Sequence, residues 1–351
     1  MAGLAAAFGS GAMTNSIAEF EDSACIFIIG SNTSACHPLI ARPVFRAQEK
    51  VAKLIVADPR NLQMARFADV VVHHRLGSDV ALLNGMMHII LNNGCHDKNY
   101  VEERTEGFED FKAVVESYAP DKVEKITGVA QSDLEKMAEL YATNSPAALL
   151  YAMGITQHTT GVDNVKSCCN IAMLCGNLGV RSGGVNPLRG QNNVQGACDM
   201  GGLPNVFPAY QPVTVEGNTE KFTSAWGRPL SNKIGYTVTD MIQAMIEGKL
   251  KALYVIGENP KVSDPNQNHL DKALANLEFL VCQDIFLTET TEKADVVFAG
   301  VSVAEKDGTF TNTERRCMKV NKAIDPMENT LNDWEIIVRL STAMGYEMKY
   351  E

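Results

Sequence analysis

The stretch 186–205, NPLRGQNNVQGACDMGGLPN, contains the residues whose types and spacing point most directly to chemistry. Its single cation, Arg189, stands before a run of side-chain amides that includes Gln191 and Asn193. Glycines at 190, 196, 201 and 202 would let the backbone approach a ligand closely. Because the planar guanidinium fork matches the two oxygens of a carboxylate, this stretch predicts a site for a small anion. Composition leaves one alternative open, a loop arginine that forms a surface salt bridge.

The cysteines do not have the spacing of a metal site. None of the nine forms a CxxC pair, so we predict neither a zinc site nor an iron–sulfur site made by this chain alone. Their odd number, with no secretory signal in view, predicts reduced and mostly buried thiols. Cys168 and Cys169 lie in an apolar helical pattern, KSCCNIAMLCGNLG, which favours a packing role.

Charge and hydropathy narrow the class of protein. The 351 residues carry a net charge of -11, which argues against a nucleic-acid backbone as the main ligand. No apolar run approaches the roughly 20 residues of a membrane-spanning helix, and no signal-peptide pattern opens the chain. We therefore expect a cytoplasmic protein with no membrane span.

The chain repeats one arrangement of hydrophobic segments. The first copy comprises ACIFIIGSN (24–32), KLIVADPR (53–60) and FADVVV (67–72); the second comprises ALYVIGEN (252–259), FLVCQDIF (279–286) and KADVVFAG (293–300). A glycine near the end of the first segment precedes an aspartate in the second by 28 residues in one copy (Gly30 to Asp58) and by 27 in the other (Gly257 to Asp284).

The repeated segments predict the fold class. Short runs of branched and aromatic residues are typical of strands buried on both faces of a parallel sheet. Helix-like intervals separate them, so we expect an α/β fold with two αβα doubly wound units, mostly parallel sheets and a pseudo-repeat. A further strand, AALLYAMG (147–154), adds to the first unit. Helices are expected over VALLNGMMHIIL, capped by Ser78, after a capping box at 132–135, and in the tail DWEIIVRLSTAMGY.

Ligands of such sheets bind beyond the carboxyl ends of the strands, where Gly30, Asp58, Gly257 and Asp284 fall. A glycine there admits a phosphate or sugar, and a carboxylate can accept hydrogen bonds from a ribose or a guanine. We therefore predict two nucleotide-like sites. Glycines that simply end strands and acids that cap helices are the alternative for either copy alone. Neither copy has GxGxxG, so this is not the usual NAD fingerprint.

Several strings then carry a family resemblance. GVNPLRGQNNVQGACDMGGLPN, VADPR, AMGITQH, LCGNLG, GENP and QDIFLTETTEKADVV resemble the catalytic subunit of molybdenum- or tungsten-dependent formate dehydrogenases, in the molybdopterin oxidoreductase (DMSO reductase) superfamily. The resemblance covers essentially the whole chain, and RGQNNVQGACDMG points to the formate dehydrogenase branch. It implies oxidation of formate to CO2, or the reverse, with electrons leaving through iron–sulfur electron-transfer subunits.

The resemblance also implies cofactors and contact residues. The family binds two molybdopterin guanine dinucleotides around one molybdenum or tungsten, one in each α/β domain, which agrees with the repeat. Arg189 matches the arginine that holds formate, and Gln191 matches a residue beside the metal. The implied cofactor contacts are Gly30, Asn32, Asp58, Arg60, Gly77, Asp79, Gly154 and Gln157 on one side and Gly257, Glu258, Asn259, Ser263, Asp284 and Thr288 on the other.

The sequence departs from the family at both ends. The metal ligand, a selenocysteine or cysteine followed by histidine, would precede Ala2, and the 4Fe-4S domain would precede that ligand. The C-terminal domain would follow Glu351. We therefore expect a fragment that cannot turn over formate alone and that exposes apolar surface. A gene model that reads the selenocysteine codon as a stop would begin near here.

Motif boundaries predict a domain over 1–191 and a second over 192–303 and 333–351. Residues 304–332 are expected to belong with the missing iron–sulfur domain and to be disordered without it. For His158, beside Gln157, a neutral hydrogen-bonded histidine is favoured over a proton relay. His37 is expected on the cofactor side in the same way.

Three other functions stay open. One is a different oxidoreductase of the superfamily, such as a nitrate reductase; the string around Arg189 favours formate over it. Another is a cofactor-less structural subunit of an electron-transfer complex, which would have no need for the Gly and Asp positions of both copies. An NAD dehydrogenase is the weakest, because the phosphate fingerprint is missing.

Overall fold

A computed structural model describes residues 1–348 and 350, and the contacts of the chain divide it into two compact units. Unit 1 comprises Met1–Gln195 and Thr311–Arg316; unit 2 comprises Gly196–Phe310 and Cys317–Glu351. Both contain a parallel sheet, so the expected α/β class is confirmed. The domain boundaries drawn from motifs remain a prediction.

Unit 1 is built on a parallel sheet of five strands in the order β3-β2-β1-β4-β5. The strands are β1 (Cys25–Ile29), β2 (Lys53–Ala57), β3 (Val70–Val72), β4 (Ala147–Tyr151) and β5 (Val185–Pro187). Every residue of β1 and β4 is buried. The chain reverses its direction of winding between β1 and β4, and doubly wound sheets bind ligands at such a switch point.

Helices cover both faces of this sheet. Alternate residues of β1 enter two separate apolar cores: Phe27 packs with residues of helices on one face, and Ile28 packs with residues on the other. The helices of the first 200 residues are α1 (Ala2–Phe8), α2 (Thr33–Cys36), α3 (Pro38–Glu49), α4 (Asp79–Asn92), α5 (Lys98–Arg104), α6 (Phe108–Glu116), α7 (Pro120–Thr127), α8 (Gln131–Thr143), α9 (Met153–Thr156), α10 (Gly161–Leu174) and α11 (Val194–Asp199). Short 3-10 helices span Ile17–Asp22 and Gln63–Phe67.

One helix start and one helix cap differ from the prediction. Helix α8 begins at Gln131 with Ala130 as its N-cap residue, so the capping box predicted at 132–135 is wrong. The first turn already forms around Ala130, whose carbonyl accepts from the amides of Asp133 and Leu134 at 3.0 Å each. Ser78 does occupy the N-cap position of α4, but its hydroxyl donates to the carbonyl of Arg75 at 2.6 Å instead of capping the helix.

Unit 2 contains a shorter parallel sheet in the order β10-β9-β8. Two-residue strands β6 (Val206–Phe207) and β7 (Gln211–Pro212) come before it, and the sheet strands are β8 (Ala252–Ile256), β9 (Phe279–Asp284) and β10 (Val296–Ala299). Its helices are α12 (Glu216–Trp226), α13 (Val238–Ile246), α14 (Pro260–Ser263), α15 (Gln267–Ala275) and α16 (Asp333–Ala343), with 3-10 helices at Pro208–Tyr210, Thr291–Lys293 and Val303–Glu305. The helix predicted in the tail is confirmed as α16.

Residues 304–332 are not disordered as expected. They contain the hairpin β11 (Gly308–Thr311) and β12 (Cys317–Val320), which is closed at its turn by the amide of Asn312 on the carbonyl of Arg316 at 3.0 Å. Glu305 joins the segments before and after this hairpin, because its carboxylate accepts from the amides of Ser302 (2.8 Å) and Met327 (2.9 Å). Local hydrogen bonds therefore order this segment.

Apolar surface is exposed mainly in unit 2. A groove of about 1050 Å³ runs beside α16 and is lined by both tryptophans of the chain, Trp226 and Trp334. Within β8 only Val255 is buried. The cysteines are mostly buried, as predicted: of the nine, only Cys36, Cys95 and Cys317 are exposed. Among the described residues, no helix is long and apolar enough to span a membrane.

Candidate functional site

Two glycines meet at the switch point of the unit 1 sheet. Gly30 follows β1 with a φ of 58°, and Gly154 follows β4. The amide of Gly154 donates to the carbonyl of Gly30 at 3.0 Å. A Cβ on Gly154 would lie 2.6 Å from that carbonyl oxygen, and a Cβ on Gly30 would lie 2.8 Å from the backbone of Gly154. Only glycine fits at either position, because the two backbones approach each other this closely.

Asp58 ends the next strand and is almost fully buried. One of its carboxylate oxygens accepts from the backbone amide of Arg60 at 2.9 Å and from the Arg60 Nε at 3.3 Å. The rest of the Arg60 side chain is exposed. Asn32, after β1, is the N-cap residue of the short helix α2. Both Asp58 and Asn32 thus lie at the carboxyl end of the sheet.

The loop after β3 holds a buried hydrogen-bond partner of Asp79 that sequence reasoning missed. Gly77 has a φ of 77°, and Asp79 begins α4 while accepting from the Nε2 of His74 at 2.9 Å. The side chains of His74 and Asp79 are only 2% and 3% exposed. Two histidines before GSD were the only signal for this pair in the sequence, and histidines in that position are too common to identify it.

The loop after β4 places Gln157 and His158 beside Gly154. Gln157 follows the short helix α9, and the Nε2 of His158 bonds the carbonyl of Gly154 at 2.8 Å. A carbonyl accepts only, so this nitrogen carries the proton. His37 is half-buried, and burial lowers the pKa of its imidazole, which is therefore neutral at pH 7.

Arg189 follows β5 and is held from both its backbone and its side chain. Its Nη2 donates to the carbonyl of Gly11 and contacts the sulfur of Met1 at 2.9 Å. Its Nε is buried and has no hydrogen-bond partner among the described residues. Gly190 and Gln191, the next two residues, are exposed. Cys198, further along, is buried.

Within the part of the chain that the structure describes, three buried polar atoms without partners lie at the carboxyl ends of strands in unit 1. They are the Oγ of Ser34, the Nδ1 of His74 and the Nε of Arg189. These three residues follow β1, β3 and β5, so all lie beyond the carboxyl ends of the strands. A buried donor or acceptor with no partner costs about 1–3 kcal/mol, which a polar ligand at this edge would recover.

Unit 2 reproduces the backbone of the first copy. The amides of Gly30 and Gly257 donate to the neighbouring strand at 3.0 and 2.8 Å. Asp284 accepts from the amide of Phe286 at 3.0 Å, just as Asp58 accepts from the amide two residues after it. The repeat in the sequence is thus also a repeat of hydrogen bonds.

The other predicted residues of unit 2 lie in loops after β8 and β9. Asn259 is held at both ends of its amide: its oxygen accepts from the hydroxyl of Thr290 at 2.7 Å, and its nitrogen donates to Glu289 at 2.7 Å. Thr288 accepts from the amide of Thr291 at 3.2 Å, and Ser263 ends α14. Partial burial, and then the charge of Asp264, raise the pKa of Glu258.

A family model described as molybdopterin oxidoreductase matches residues 3–343. The chain is 52% identical, over 343 residues, to the F420-dependent formate dehydrogenase 1 subunit alpha of Methanococcus maripaludis, covering 98% of this chain and 50% of the relative. It is 43% identical, over 351 residues, to formate dehydrogenase H of Escherichia coli, covering 100% of this chain and 49% of the relative. The chain therefore spans about half the length of these curated relatives.

A solved structure shares the fold. Acetylene hydratase from Pelobacter acetylenicus aligns with a TM-score of 0.78 at 25% identity, over 99% of this chain and 50% of that protein. The likeness extends over both units.

Proposed function

Because this chain belongs to the molybdopterin oxidoreductase family, we propose that it forms the central part of the catalytic subunit of a formate dehydrogenase. The proposed reaction converts formate to CO2, a proton and two electrons, and it is reversible. The names of the curated relatives and the string around Arg189 support formate as the substrate. Since the chain spans half of those relatives, the proposal concerns its own share of the site, which is to bind formate and to hold cofactor.

The buried, unpartnered Nε of Arg189 is the observation that carries this proposal. Within the described residues, the Arg189 side chain has one nitrogen tied to the carbonyl of Gly11 and another N–H left without an acceptor. A carboxylate supplies that acceptor together with the opposite charge. Arginine keeps its charge at every physiological pH, so the clamp does not depend on protonation.

The proposed contact between Arg189 and the carboxylate of formate also favours release of the product. Formate carries a full negative charge, whereas CO2 carries none. The charge-assisted hydrogen bonds to Arg189 therefore hold the substrate and weaken once the proton and electrons have left. Gln191, exposed two residues later, is proposed to lie beside the reacting group.

We propose that one molybdopterin guanine dinucleotide binds at the carboxyl ends of the unit 1 strands. Gly30 and Gly154 let the loops after β1 and β4 meet backbone to backbone, since a Cβ at either position would collide with the other, and the dinucleotide is proposed to lie against these loops. The orphaned atoms of Ser34 and His74 offer polar contacts. We propose that the contacts come from Gly30, Asn32, Asp58, Arg60, Gly77, Asp79, Gly154 and Gln157. With molybdenum or tungsten, the bound group supplies the two-electron redox centre.

A second dinucleotide is proposed for unit 2, where Asp284 and Gly257 have the hydrogen bonds of their counterparts. Its contacts would be Gly257, Glu258, Asn259, Ser263, Asp284 and Thr288. Electrons would leave through iron–sulfur clusters of the remaining protein and its partner subunits. We propose the cytoplasm as the location.

Nucleotide content tests the proposal directly. The chain is purified from cells that make the cofactor, and guanine nucleotide released by acid is counted per chain. We expect two guanines, falling to one in Asp58→Ala and to one in Asp284→Ala. The variant Arg189→Lys should keep both guanines but lose affinity for formate. A preparation without guanine nucleotide would instead support the cofactor-less structural subunit.

A further inference from the structure

The backbone groups on the outer edge of β5 are paired by two threonines, Thr14 and Thr313, rather than by another strand. This strand is the last of its sheet, so its odd-numbered residues point their amides and carbonyls away from β4. Unpaired groups of this kind can pair with another chain, which makes an exposed sheet edge prone to aggregation. Thr14 pairs both outward groups of Val185. Its hydroxyl accepts from the Val185 amide at 2.9 Å, and its amide donates to the Val185 carbonyl at 3.3 Å.

The next outward pair belongs to Pro187 and Arg189, and one hydroxyl satisfies both. The Oγ1 of Thr313 donates to the carbonyl of Pro187 at 2.7 Å and accepts from the amide of Arg189 at 3.3 Å. A neighbouring strand would make the same two contacts with its backbone. Thr313 thus extends the sheet pairing by one step, up to the residue that carries the guanidinium.

The segment that supplies this hydroxyl is itself fixed to unit 1. We name residues Thr311–Arg316 the strap. Its Thr311 amide donates to the side-chain oxygen of Asn193 at 2.9 Å, and the carboxylate of Glu314 accepts from the amide of Ile17 at 2.7 Å. Arg315 donates to the carbonyl of Thr14 at 3.3 Å. The strap therefore forms hydrogen bonds with both ends of the loop 189–193.

Within the part of the chain that the structure describes, the backbone of this loop makes few other contacts. The amide of Leu188 donates to the carbonyl of Tyr151 at 2.8 Å, which is the last strand-like bond to β4. After it, residues 190–192 are exposed, and Gly190 has open space around its Cα. Thr313 therefore fixes the backbone amide from which the Arg189 side chain departs, while the carbonyl of Gly11 holds the far end of that side chain.

We propose that Thr313 is a positioning residue, which orients Arg189 by fixing its backbone amide. The inference rests on the proposed function for the role of the anion, but the contact itself does not. Thr313 touches neither formate nor cofactor in this proposal. It acts through Arg189 alone, from 124 residues further along the chain.

The test compares Thr313→Val with Thr313→Ser, which keeps the hydroxyl. Thr143→Val is the matched control, because the Thr143 hydroxyl in unit 1 likewise donates to a backbone carbonyl at 2.7 Å, that of Glu139, and accepts a second hydrogen bond, from the side chain of Asn144 at 3.2 Å. Two quantities are measured by NMR on the full chain: hydrogen exchange of the Arg189 amide, and the formate-dependent shift of the Arg189 Nε–H signal, assigned by its loss in Arg189→Lys.

We expect Thr313→Val to speed exchange of the Arg189 amide by roughly fivefold or more, the effect of one hydrogen bond. The dissociation constant for formate should rise several-fold, while the thermal midpoint changes no more than in the control. Thr313→Ser should restore both quantities. If Thr313→Val does not fold, Asn193→Ala releases the other end of the strap, and the same amide should exchange faster.

Unchanged exchange of the Arg189 amide in Thr313→Val or Asn193→Ala would overturn the inference. So would faster exchange with an unchanged affinity for formate. If formate moves no Arg189 signal even in the wild type, the proposed function fails at this residue, and the positioning role fails with it. The exchange data would then still establish whether Thr313 holds the backbone.

Discussion

The two parallel sheets share an arrangement of three strands but differ in the strands that extend it. In unit 1 the order β3-β2-β1 continues into β4 and β5, whereas in unit 2 the order β10-β9-β8 ends at β8. The hydrogen bonds of the common part agree closely. The side chain of Asp69 accepts from the Leu54 amide at 2.9 Å, and that of Asp295 accepts from the Leu280 amide at 2.7 Å.

The difference appears at the glycine after the first strand. Gly30 and Gly257 have φ values of 58° and 64°. A Cβ on Gly30 would strike Gly154, but around Gly257 the described residues leave 4 Å of free space. A repeat of about 50 residues is thus enough to build the strand ends and their turns. An enclosed switch point also needs the strands that follow.

Burial at equivalent positions gives the largest expected contrast between the units. Phe27 in β1 is fully buried, with its ring 5.9 Å from that of Tyr141; Tyr254 in β8 is half-buried. We expect Phe27→Ala to lower the free energy of unfolding by about 3–5 kcal/mol, and Tyr254→Ala by about 1 kcal/mol. Urea unfolding followed by circular dichroism measures both. Equal losses would mean that the second sheet is as tightly packed as the first.

The paired glycines give the next contrast. Gly30→Ala combines a left-handed backbone, which costs roughly 1–2 kcal/mol, with overlap on Gly154, which costs about 1–3 kcal/mol more. Gly257→Ala incurs only the cost of the left-handed backbone. Calorimetric melting of the two variants should therefore differ by the cost of the overlap. A Gly257→Ala variant as unstable as Gly30→Ala would show that something does enclose the second glycine.

The paired aspartates should differ less, because they make the same bond. Burial alone would raise the pKa of Asp69, but the Leu54 amide, Lys53 and Lys136 outweigh it and hold that pKa below its ordinary value. The carboxylate therefore stabilises unit 1 at pH values above the ordinary aspartate pKa, and this stability disappears as the pH falls through the lowered pKa.

We expect Asp69→Asn to cost about 1–2 kcal/mol at pH 7 and to cost progressively less as the solution is acidified through that range. Asp295→Asn is the matched variant, and its effect should appear as faster hydrogen exchange confined to unit 2. Stability curves measured at several pH values supply the comparison. A penalty for Asp69→Asn that did not shrink in acid would contradict the assignment.

Cysteine labelling gives the smallest expected contrast. Burial raises the pKa of Cys169 and Cys175 to about 12 each, so these thiols of unit 1 are protonated at pH 8. Burial also raises the pKa of Cys282 in β9. Mass spectrometry during maleimide labelling should show Cys36, Cys95 and Cys317 modified first, because they are exposed.

Among the buried thiols, Cys282 should react before those of unit 1, because its three-stranded sheet opens locally at a lower free energy. Labelling of Cys169 and Cys175 ahead of Cys282 would reverse the order of stability inferred from the two sheets.

The strands were predictable because their signal is local. FLVCQDIF was expected as a strand, and β9 covers Phe279–Asp284 within it. The glycines and aspartates after the strands were placed correctly for the same reason. The parallel arrangement fixes which end of each strand they occupy.

The contacts around Arg189 could not be predicted, because they join residues far apart in the chain. Thr313 is 124 residues from Arg189, and nothing in the letters TNTERR distinguishes that hydroxyl from its neighbours. The buried pair of His74 and Asp79 depends on the path of a loop, and the start of α8 depends on which turn buries Leu134. Tertiary packing decides all three.

The strap also sets a delay in the making of the protein. A ribosome adds roughly 5–20 residues each second, so Thr313 is synthesised about 6–25 s after Arg189, from which it is separated by 124 residues. During that interval the nascent chain already contains all five strands of the first sheet, while the outer groups of Pro187 and Arg189 still lack the hydroxyl that pairs them. The newborn protein therefore leaves the carbonyl of Pro187 and the amide of Arg189 unpaired at the end of β5 during synthesis, and that is the period in which a chaperone would protect this end of the strand most.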